Sequence, residues 1–486
     1  MKVDVVVLGG GITGTAVARH LARFRVSVAL IDKEVDFGFG GATKANTAII
    51  HAGYDDLPGT IKAELCVKGN ALWEKMAYEL EIPFERLGSL VVAFNEEQIR
   101  NLRELKRRGS QNGVPEARLI EEARELKVME PRLNRKACAA LHAPTAGITS
   151  PYEAAMALAE NAQINGVQIL LATRAVGVRV KGGELQAVET ERGAVECSFL
   201  VNCSGLWADE VSRLLGIADF NIIPRKGEYF VLDRKLKGFL RHVLFPVPTP
   251  VSKGIVATPS LEGNIIIGPN SHEVKDKEDT RTTSEGLDEV WRGALKLVPS
   301  LSTKKEMIIN SYAGLRADPD TGDFIIRSYS EVHGFINAAG IKSPGLTCAP
   351  AIAEKVASIL KAEGLELMEK ENFKPQRNSI PDPFSGQTLR KASELISQDG
   401  TYGRVVCRCE QVTEGEIAEA IRRGATTVDG VKFRTRAGMG RCQGGFCTPR
   451  VIHILSKQLG MPQDQVTKCG NESRILACKA KEPLLR

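Results

Sequence analysis

The fold is decided by the stretch Lys2 to Gly14, which reads KVDVVVLGGGITG. Its first part, Lys2 to Leu8, is rich in valine and predicts a buried β-strand. Gly9 permits the tight turn that follows, Gly11 lets the backbone approach a pyrophosphate, and Gly14 allows close packing of the next helix. The N-terminus of that helix offers free N–H groups and a positive dipole end to phosphates. The stretch therefore predicts a dinucleotide site.

A G-x-G-x-x-G motif by itself is weak evidence for a dinucleotide site. The residues that follow it here strengthen the prediction. A helix is predicted from Thr15 to Arg23 and a second strand from Val26 to Ile31. Asp32 ends this strand, 18 residues after Gly14. An acid at that position can accept hydrogen bonds from a ribose diol, so the first 32 residues are predicted to form one nucleotide-binding βαβ unit.

Three later blocks indicate which dinucleotide binds. Residues 40–54 (GGATKANTAIIHAGY) are rich in glycine and small hydroxyl residues, which suits a backbone lying along an extended cofactor. Residues 199–205 predict a strand ending in a glycine turn, and residues 336–347 (INAAGIKSPGLT) precede a helix predicted from Pro350 to Glu363. The chain contains no second G-x-G-x-x-G for a dedicated NAD site.

The order of these blocks along the chain and their amino-acid sequences resemble those of the D-amino-acid oxidase/glycerol-3-phosphate dehydrogenase superfamily of flavoproteins. The resemblance covers about residues 1–365, and the part from Gly41 to Gly53 is similar to soluble glycerol-3-phosphate oxidases and L-2-hydroxyglutarate oxidases. It implies FAD bound in an extended pose. The residues that we expect to contact FAD are Gly9, Gly11, Ile12, Thr13, Gly14, Asp32, Lys33, Thr43, Asn46, Thr47, Val176, Gly205, Gly340, Lys342, Gly345, Leu346 and Thr347.

Three residues in these blocks, and Arg316 in the stretch 312–316 (YAGLR), are candidates for catalysis. A neutral imidazole at His51, near the flavin, can take a hydroxyl proton, and the resemblance implies this role. Arg316 can grip a phosphate or carboxylate with two parallel hydrogen bonds, and the family's similar Gly-Leu-Arg binds the substrate anion. Lys342 and Ser343 follow Gly340, where a cation or hydroxyl would stabilise reduced flavin. A structural histidine and a loop shaped by glycines are the alternatives for His51 and Lys342.

Bulk properties exclude several classes of protein. The net charge of +6 over 486 residues gives no reason to expect nucleic acid. No apolar run reaches the roughly 18–20 residues of a membrane span, and the N-terminus lacks the h-region of a signal peptide. We therefore expect a cytoplasmic protein without a transmembrane segment. Peripheral association with the inner face of the cell membrane stays open.

Four of the 11 cysteines form a separate pattern near the C-terminus. Cys407 and Cys409 make a C-x-C, thirty-two residues follow, and Cys442 and Cys447 make a C-x4-C. Four thiolates can hold a metal ion or a [2Fe–2S] cluster, and zinc ribbons more often use C-x2-C pairs. The segment resembles the bacterioferritin-associated-ferredoxin-type [2Fe–2S] domain found fused to glycerol-3-phosphate dehydrogenase-like flavoproteins. That resemblance implies a [2Fe–2S] cluster, with zinc as the alternative.

The resemblances together imply an α/β fold. A doubly wound, Rossmann-like FAD domain is interleaved with an α+β substrate domain built on an antiparallel sheet, and a small [2Fe–2S] domain follows. The expected boundaries are 1–84, 145–215 and 331–365 for the FAD domain, 85–144 and 216–330 for the substrate domain, 366–402 for a linker, 403–460 for the [2Fe–2S] domain and 461–486 for a tail.

A flavin takes two electrons at once and a [2Fe–2S] cluster carries one, so their combination favours a dehydrogenase over an oxidase. We expect oxidation of sn-glycerol 3-phosphate to dihydroxyacetone phosphate by hydride transfer to flavin N5, with electrons leaving through the cluster. The acceptor is expected to be a redox partner subunit or a quinone-linked protein. The alternatives are an L-2-hydroxy acid such as 2-hydroxyglutarate as the small anionic substrate, and a non-catalytic flavin/iron–sulfur electron carrier.

Overall fold

The computed structural model describes residues 1–249, 253–384 and 389–478, which divide into two compact units. The first unit comprises Met1–Lys33 and Gly40–Arg377, and the second comprises Glu34–Phe39 and the chain from Asn378 onward. Parts of the expected linker and tail lie outside the described residues. Within the described ranges, no helix has both the length and the apolar content that crossing a membrane would require.

The strands are numbered along the chain. They are β1 (Val5–Leu8), β2 (Val28–Ile31), β3 (Ile49–Ile50), β4 (Phe84–Arg86), β5 (Ser89–Ala93), β6 (Arg118–Ile120), β7 (Ala139–Ala143), β8 (Gly147–Thr149), β9 (Gln168–Leu170), β10 (Ala175–Lys181), β11 (Glu184–Thr190), β12 (Gly193–Glu196), β13 (Phe199–Asn202), β14 (Ile222–Leu232), β15 (Val243–Pro246), β16 (Val256–Pro259), β17 (Ile265–Gly268), β18 (His272–Glu273), β19 (Ile308–Pro319), β20 (Ile325–Ser328), β21 (Phe335–Ala339), β22 (Val405–Cys407) and β23 (Val412–Thr413).

The α-helices are numbered in the same way. They are α1 (Ile12–Leu21), α2 (Ile61–Leu80), α3 (Glu96–Asn112), α4 (Ala123–Met129), α5 (Pro151–Ile164), α6 (Ala208–Arg213), α7 (Ser284–Leu297), α8 (Gly345–Ala362), α9 (Leu389–Gln398), α10 (Glu414–Arg422), α11 (Val428–Thr435) and α12 (Thr448–Leu459).

A six-stranded sheet in the order β20-β21-β13-β1-β2-β9 carries the nucleotide-binding part of the first unit. All neighbouring pairs are parallel except β20 with β21, and every residue of β1 and β2 is buried. Parallel strands covered on both faces have continuous apolar sequences, which explains the valine-rich β1. Helix α1 packs against α5 and α8. The expected Rossmann-like sheet is confirmed.

The second large sheet has the path β18-β14-β17-β16-β15-β5-β7-β6, with β19 paired to β14. Its pairs are antiparallel except β5 with β15. The long β14–β19 ladder aligns Arg225 with Arg316. Strands β5–β7 come from the stretch between the nucleotide-binding blocks, and β14–β19 come from the later stretch. The sheet is therefore interleaved with the parallel one along the chain, as the sequence predicts.

Helix α8 begins at Gly345, five residues before the predicted start at Pro350. Proline lacks the N–H that would bond to the carbonyl four residues earlier, so a proline is usually found in the first turn of a helix, and the sequence predicts the start of α8 at Pro350 for this reason. In the structure that carbonyl, of Leu346, accepts the indole N–H of Trp73 at 3.2 Å. The lost helical hydrogen bond is replaced by a tertiary one, which places Gly345, Leu346 and Thr347 in the first turn of α8.

The second unit is a small hairpin, β22–β23, with four helices. Helix α10 begins with a capping box, in which the Thr413 hydroxyl accepts the backbone N–H of Glu416 and the Glu416 carboxylate accepts the backbone N–H of Thr413. This unit also includes Glu34–Phe39. Within it, Asp36 forms a buried ion pair with Arg434, with Oδ1 and Nη2 2.7 Å apart. Residues 34–39 lie inside the range 1–84 that we assign to the FAD domain.

Candidate functional site

The glycine loop between β1 and α1 has the geometry of a phosphate cradle. Gly9 has a φ of +113°, which favours glycine, and a side chain at Gly14 would overlap the Gly9 carbonyl oxygen. Gly11 is the N-cap of α1, so the helix N-terminus opens on this loop. The N–H of Ile12 donates to Thr43 Oγ1 at 3.0 Å, which links the loop to the 40–54 block. Backbone N–H groups in this arrangement suit a pyrophosphate.

The end of β2 provides the acidic group predicted for the ribose. Asp32 follows Ile31, and its carboxylate accepts the N–H of Gly10. The ammonium of Lys33 lies 3.5 Å from the centre of the Trp207 ring and 3.5 Å from Glu278 Oε1. Asp32 is therefore held against the glycine loop, and Lys33 points toward an aromatic and acidic neighbour.

The 40–54 block is shaped by Asn46. Its amide donates to the carbonyls of Ala42 and Thr43, at 2.9 Å each, and its Oδ1 accepts the N–H of Ala48 at 2.7 Å. Strand β19 packs on the same block, because the Tyr312 hydroxyl donates to the Asn46 carbonyl at 2.7 Å. A side chain at Gly314 would overlap the carbonyl of Ala45. The loop that carries Thr43 and Thr47 is thus fixed against the large sheet.

His51 is held by contacts with the block around residue 345. Its ring Nε2 lies 3.4 Å from the Ser343 hydroxyl, and its backbone N–H donates to Thr347 Oγ1 at 2.9 Å. Its carbonyl accepts the side-chain amide of Asn70 at 2.8 Å. The structure therefore brings His51, Ser343 and Thr347, three predicted site residues, into direct contact.

A lysine that the sequence pattern did not indicate is close enough to His51 to lower its pKa. Lys253 is ion-paired with Asp55, with Nζ and Oδ2 2.8 Å apart. Desolvation, and secondly the charge of Lys253, lower the pKa of His51 to about 3. The imidazole is therefore neutral at pH 7 and can accept a proton. Lys253 sits just before β16 in a proline-containing stretch (PVPTPVSKG, 246–254), so no periodicity pointed to it.

Arg316 is half-buried on β19, and its guanidinium is positioned by a neighbouring polar network. Nη2 donates to the Asn270 carbonyl at 3.1 Å. The Asn270 amide in turn donates to Glu228 at 3.0 Å, and Glu228 is buried. A side chain at Gly227 would overlap the Arg316 guanidinium, so the glycine leaves room for it. A fork held in this way is suited to a bidentate contact with an anion.

Lys342 forms an ion pair that sequence reasoning did not anticipate. Its ammonium donates to Asp318, and Arg225 Nε donates to the same carboxylate at 2.9 Å. The two cations lower the pKa of Asp318 against the effect of its desolvation, so the carboxylate is ionised at neutral pH. The proposed contact of Lys342 with reduced flavin stays a prediction, and in this structure its charge is compensated by Asp318.

The other predicted FAD contacts lie in turns and at strand ends, apart from one exposed position. Gly205 and Gly340 have φ of +59° and +66° just after β13 and β21, whereas Val176 on β10 is 52% exposed. Thr13 is buried in the first turn of α1, and Thr47 is half-buried beside Asn46. The strand ends therefore bring turn residues of three separate blocks to the parallel sheet, the usual location of a dinucleotide site.

The four C-terminal cysteines meet as two pairs within the second unit. Cys409 Sγ and Cys442 Sγ are 3.7 Å apart, and the thiols of Cys407 and Cys447 are hydrogen-bonded. Among the residues that the structure describes, no three His, Cys, Asp or Glu side chains converge around a single ion position. Paired thiols suit a binuclear cluster, in which two cysteines bind each iron, better than one tetrahedral zinc ion.

Backbone N–H groups point at these sulfurs. The backbone N–H groups of Phe446, Gly444 and Gly445 donate to the sulfur of Cys442. The hydrogen bond from Cys447 is the largest cause that lowers the pKa of Cys407 to about 6, burial opposes it, and the N–H of Gly438 supports it. A donor set of this kind stabilises thiolates and fits an anionic iron–sulfur cluster.

Comparison with known proteins identifies the family of each of the two parts of the chain. The model of the DAO family, FAD dependent oxidoreductase, matches residues 4–359, and that of the BFD-like [2Fe-2S] binding domain matches residues 405–457. A glycerol 3-phosphate dehydrogenase of Caloramator mitchellensis is 44% identical and covers 98% of this chain and 99% of its own. An L-2-hydroxyglutarate dehydrogenase of Indibacter alkaliphilus is 31% identical over 61% of this chain and 76% of its own.

Among solved structures, the FAD-bound, dithionite-reduced L-α-glycerophosphate oxidase of Mycoplasma pneumoniae has a TM-score of 0.73 at 30% identity. The match covers 78% of this chain and 99% of the oxidase. The oxidase is therefore matched almost completely by about three-quarters of this chain.

Proposed function

We propose that this chain oxidises sn-glycerol 3-phosphate to dihydroxyacetone phosphate. The chain belongs to the DAO family of FAD-dependent oxidoreductases and carries a BFD-like [2Fe–2S] domain, and the proposal proceeds from this membership. The observation that carries the proposal is the neutral His51 ring, with Ser343 at its Nε2 and the ammonium of Lys253 nearby. Similarity along nearly the whole chain to a glycerol 3-phosphate dehydrogenase supports the choice of substrate.

In the proposed reaction His51 takes the proton of the C2 hydroxyl. A base with a neutral imidazole and a fixed ring orientation is suited to this step, and the hydrogen bond to Ser343 contributes to that orientation. Bound FAD supplies the acceptor of the C2 hydride at N5. The glycine loop at Gly9 and Gly14, with Asp32, fits the pyrophosphate and ribose of that cofactor.

The substrate's phosphate requires cationic groups. Arg316 offers a planar fork. Lys253 is a second cation close enough to affect His51, and its ammonium is paired with Asp55. Glycerol 3-phosphate and 2-hydroxyglutarate are both dianions at neutral pH, so the cations alone do not separate them. The similarity to a glycerol 3-phosphate dehydrogenase along nearly the whole chain favours glycerol 3-phosphate.

The [2Fe–2S] cluster that the paired cysteines would bind is proposed to carry the electrons away one at a time. Cys407 with Cys447 would bind one iron and Cys409 with Cys442 the other. A dehydrogenase with a separate acceptor uses such an exit, whereas direct reaction with oxygen does not need it. We propose a redox partner protein or a quinone-linked acceptor for these electrons, and a cytoplasmic location with the inner membrane face as the alternative.

Anaerobic titration of the purified protein tests the substrate. We expect glycerol 3-phosphate to bleach the flavin absorbance completely and L-2-hydroxyglutarate to leave it unchanged, because the relative that matches nearly the whole chain is a glycerol 3-phosphate dehydrogenase. Bleaching by L-2-hydroxyglutarate alone would select the hydroxy-acid alternative. If neither compound bleaches the flavin, the protein is an electron carrier and the proposal fails.

Replacing one cysteine tests the cluster ligands. In Cys409→Ser we expect iron and acid-labile sulfide to fall from about two each per chain to near zero, because one iron loses a thiolate. Cys478→Ser is the control, since Cys478 is exposed and outside the four-cysteine pattern. Flavin bleaching by glycerol 3-phosphate should persist in both variants. Zinc in place of iron in the wild-type protein would contradict the assignment.

A further inference from the structure

The two segments that carry the paired cysteines also form one surface, which we call the cluster rim. It consists of residues 407–409 and 441–450. The Sγ–Sγ distance of 3.7 Å between Cys409 and Cys442, and the hydrogen bond between Cys407 and Cys447, bring the two segments together. The exposed side chains of these segments are therefore only a few residues along the chain from the cysteines that carry the sulfurs.

Every charged side chain on the cluster rim is an arginine. Arg408, Arg441 and Arg450 are exposed, and the two segments contain no acidic residue. Glu410, the residue that follows Cys409, is 6% exposed at its side chain and pairs with Arg436 at 3.0 Å. The rim is thus a small positive patch around the redox centre.

An exposed aromatic side chain lies in the middle of this patch. Phe446 is 84% exposed, directly precedes Cys447, and its backbone N–H donates to Cys442 Sγ. Leaving a phenylalanine in water forgoes the favourable free energy that burying its ring would contribute. Aromatic residues and arginines are the types most enriched at the centres of protein interfaces. The combination therefore indicates a surface that a partner covers.

We propose that the cluster rim is the docking surface for a small one-electron carrier protein whose face around its own redox centre is acidic. This inference rests on the proposed function for the source of the electrons. Oxidation of one substrate carbinol releases two electrons and two protons. Two carrier molecules, docking in turn, each gain one electron, and the protons leave to solvent.

A protein partner explains the patch better than a lipid surface does. Membrane-binding basic clusters contain about 4–8 Lys or Arg residues, and the rim has three arginines. All three lie within three residues of a cluster cysteine, a placement that would orient a bound redox partner with its own centre close to the cluster. Charge complementarity of this kind steers association and orients redox partners.

Binding of an acidic carrier to the holoenzyme tests the proposal without relying on turnover. The probe is rubredoxin, a small acidic protein, with zinc in place of iron so that no electron moves. We expect a complex whose Kd rises steeply with added NaCl. The double variant Arg408→Glu/Arg441→Glu should weaken binding at least about tenfold, and Phe446→Ser should weaken it by a similar factor.

Two matched controls have the same types of change away from the rim. Arg390→Glu reverses one charge on α9, where Arg390 is exposed at 86% of its side chain, and Tyr78→Ser removes an aromatic side chain that is 82% exposed. Both should bind zinc rubredoxin like the wild type. All variants should retain iron and the flavin bleaching by glycerol 3-phosphate, which separates a failure of this inference from a failure of the proposed function.

Several outcomes would overturn the docking proposal. They are absence of a complex with zinc rubredoxin, equal affinity in the charge-reversed variant, or equally tight binding of the basic protein cytochrome c. Binding to vesicles of phosphatidylserine and phosphatidylcholine, lost in the Arg408→Glu/Arg441→Glu variant while zinc rubredoxin does not bind, would assign the rim to a membrane surface instead.

Discussion

The His51→Ala variant is expected to retain FAD and to be reduced by glycerol 3-phosphate about 10²–10⁴-fold more slowly than the wild type, the range for loss of a general base. The cofactor should stay bound because the glycine loop and Asp32 are untouched. Anaerobic stopped-flow absorbance of the flavin measures the rate. His142→Ala is the control, since His142 also has a pKa lowered to about 4 but lies on β7 of the large sheet. A normal reduction rate in His51→Ala would remove His51 as the base.

The pH dependence of the same rate gives a second test of His51. Its pKa is lowered to about 3, chiefly by desolvation, so acidification from pH 8 to pH 5 leaves the ring neutral and competent. We therefore expect that the rate of flavin reduction at saturating substrate does not fall as the pH is lowered through 6.5, the ordinary pKa of histidine. An acid limb centred near that value in the wild type and absent in His51→Ala would contradict the neutral-base assignment.

The Arg316→Ala variant is expected to bind glycerol 3-phosphate about 10- to 100-fold more weakly. Hydrogen bonds to a charged group contribute about 1.5–3 kcal/mol, and every 1.4 kcal/mol is about a tenfold change in Kd. The rate of flavin reduction at saturating substrate should change far less, because Arg316 is proposed to bind the phosphate and not the reacting carbon. The substrate dependence of flavin bleaching gives both quantities.

Two further variants define what Arg316 contributes. Arg316→Lys should recover only part of the affinity, since an ammonium lacks the planar fork that binds two phosphate oxygens. Arg327→Ala removes the same charge from an exposed position on β20 and should leave substrate affinity unchanged. An unchanged affinity in Arg316→Ala would discard the role and leave Lys253 as the candidate phosphate ligand.

The amino-acid sequence by itself determined the features that depend on local backbone geometry. The turn at Gly9, the close packing at Gly14 and the acid at the end of β2 follow from residue types at fixed spacing, and all are present. The cysteine spacing likewise identified the iron–sulfur module. Each of these features needs particular residues within a short segment, so a single chain segment carries the signal.

Only the tertiary structure decided how distant segments meet. It paired Lys253 with Asp55, paired Lys342 with Asp318, and included residues 34–39 in the second unit. It also selected which cysteine pairs with which. These contacts join residues far apart in sequence, and their formation depends on the packing of strands and loops, for which no local pattern of residue types exists.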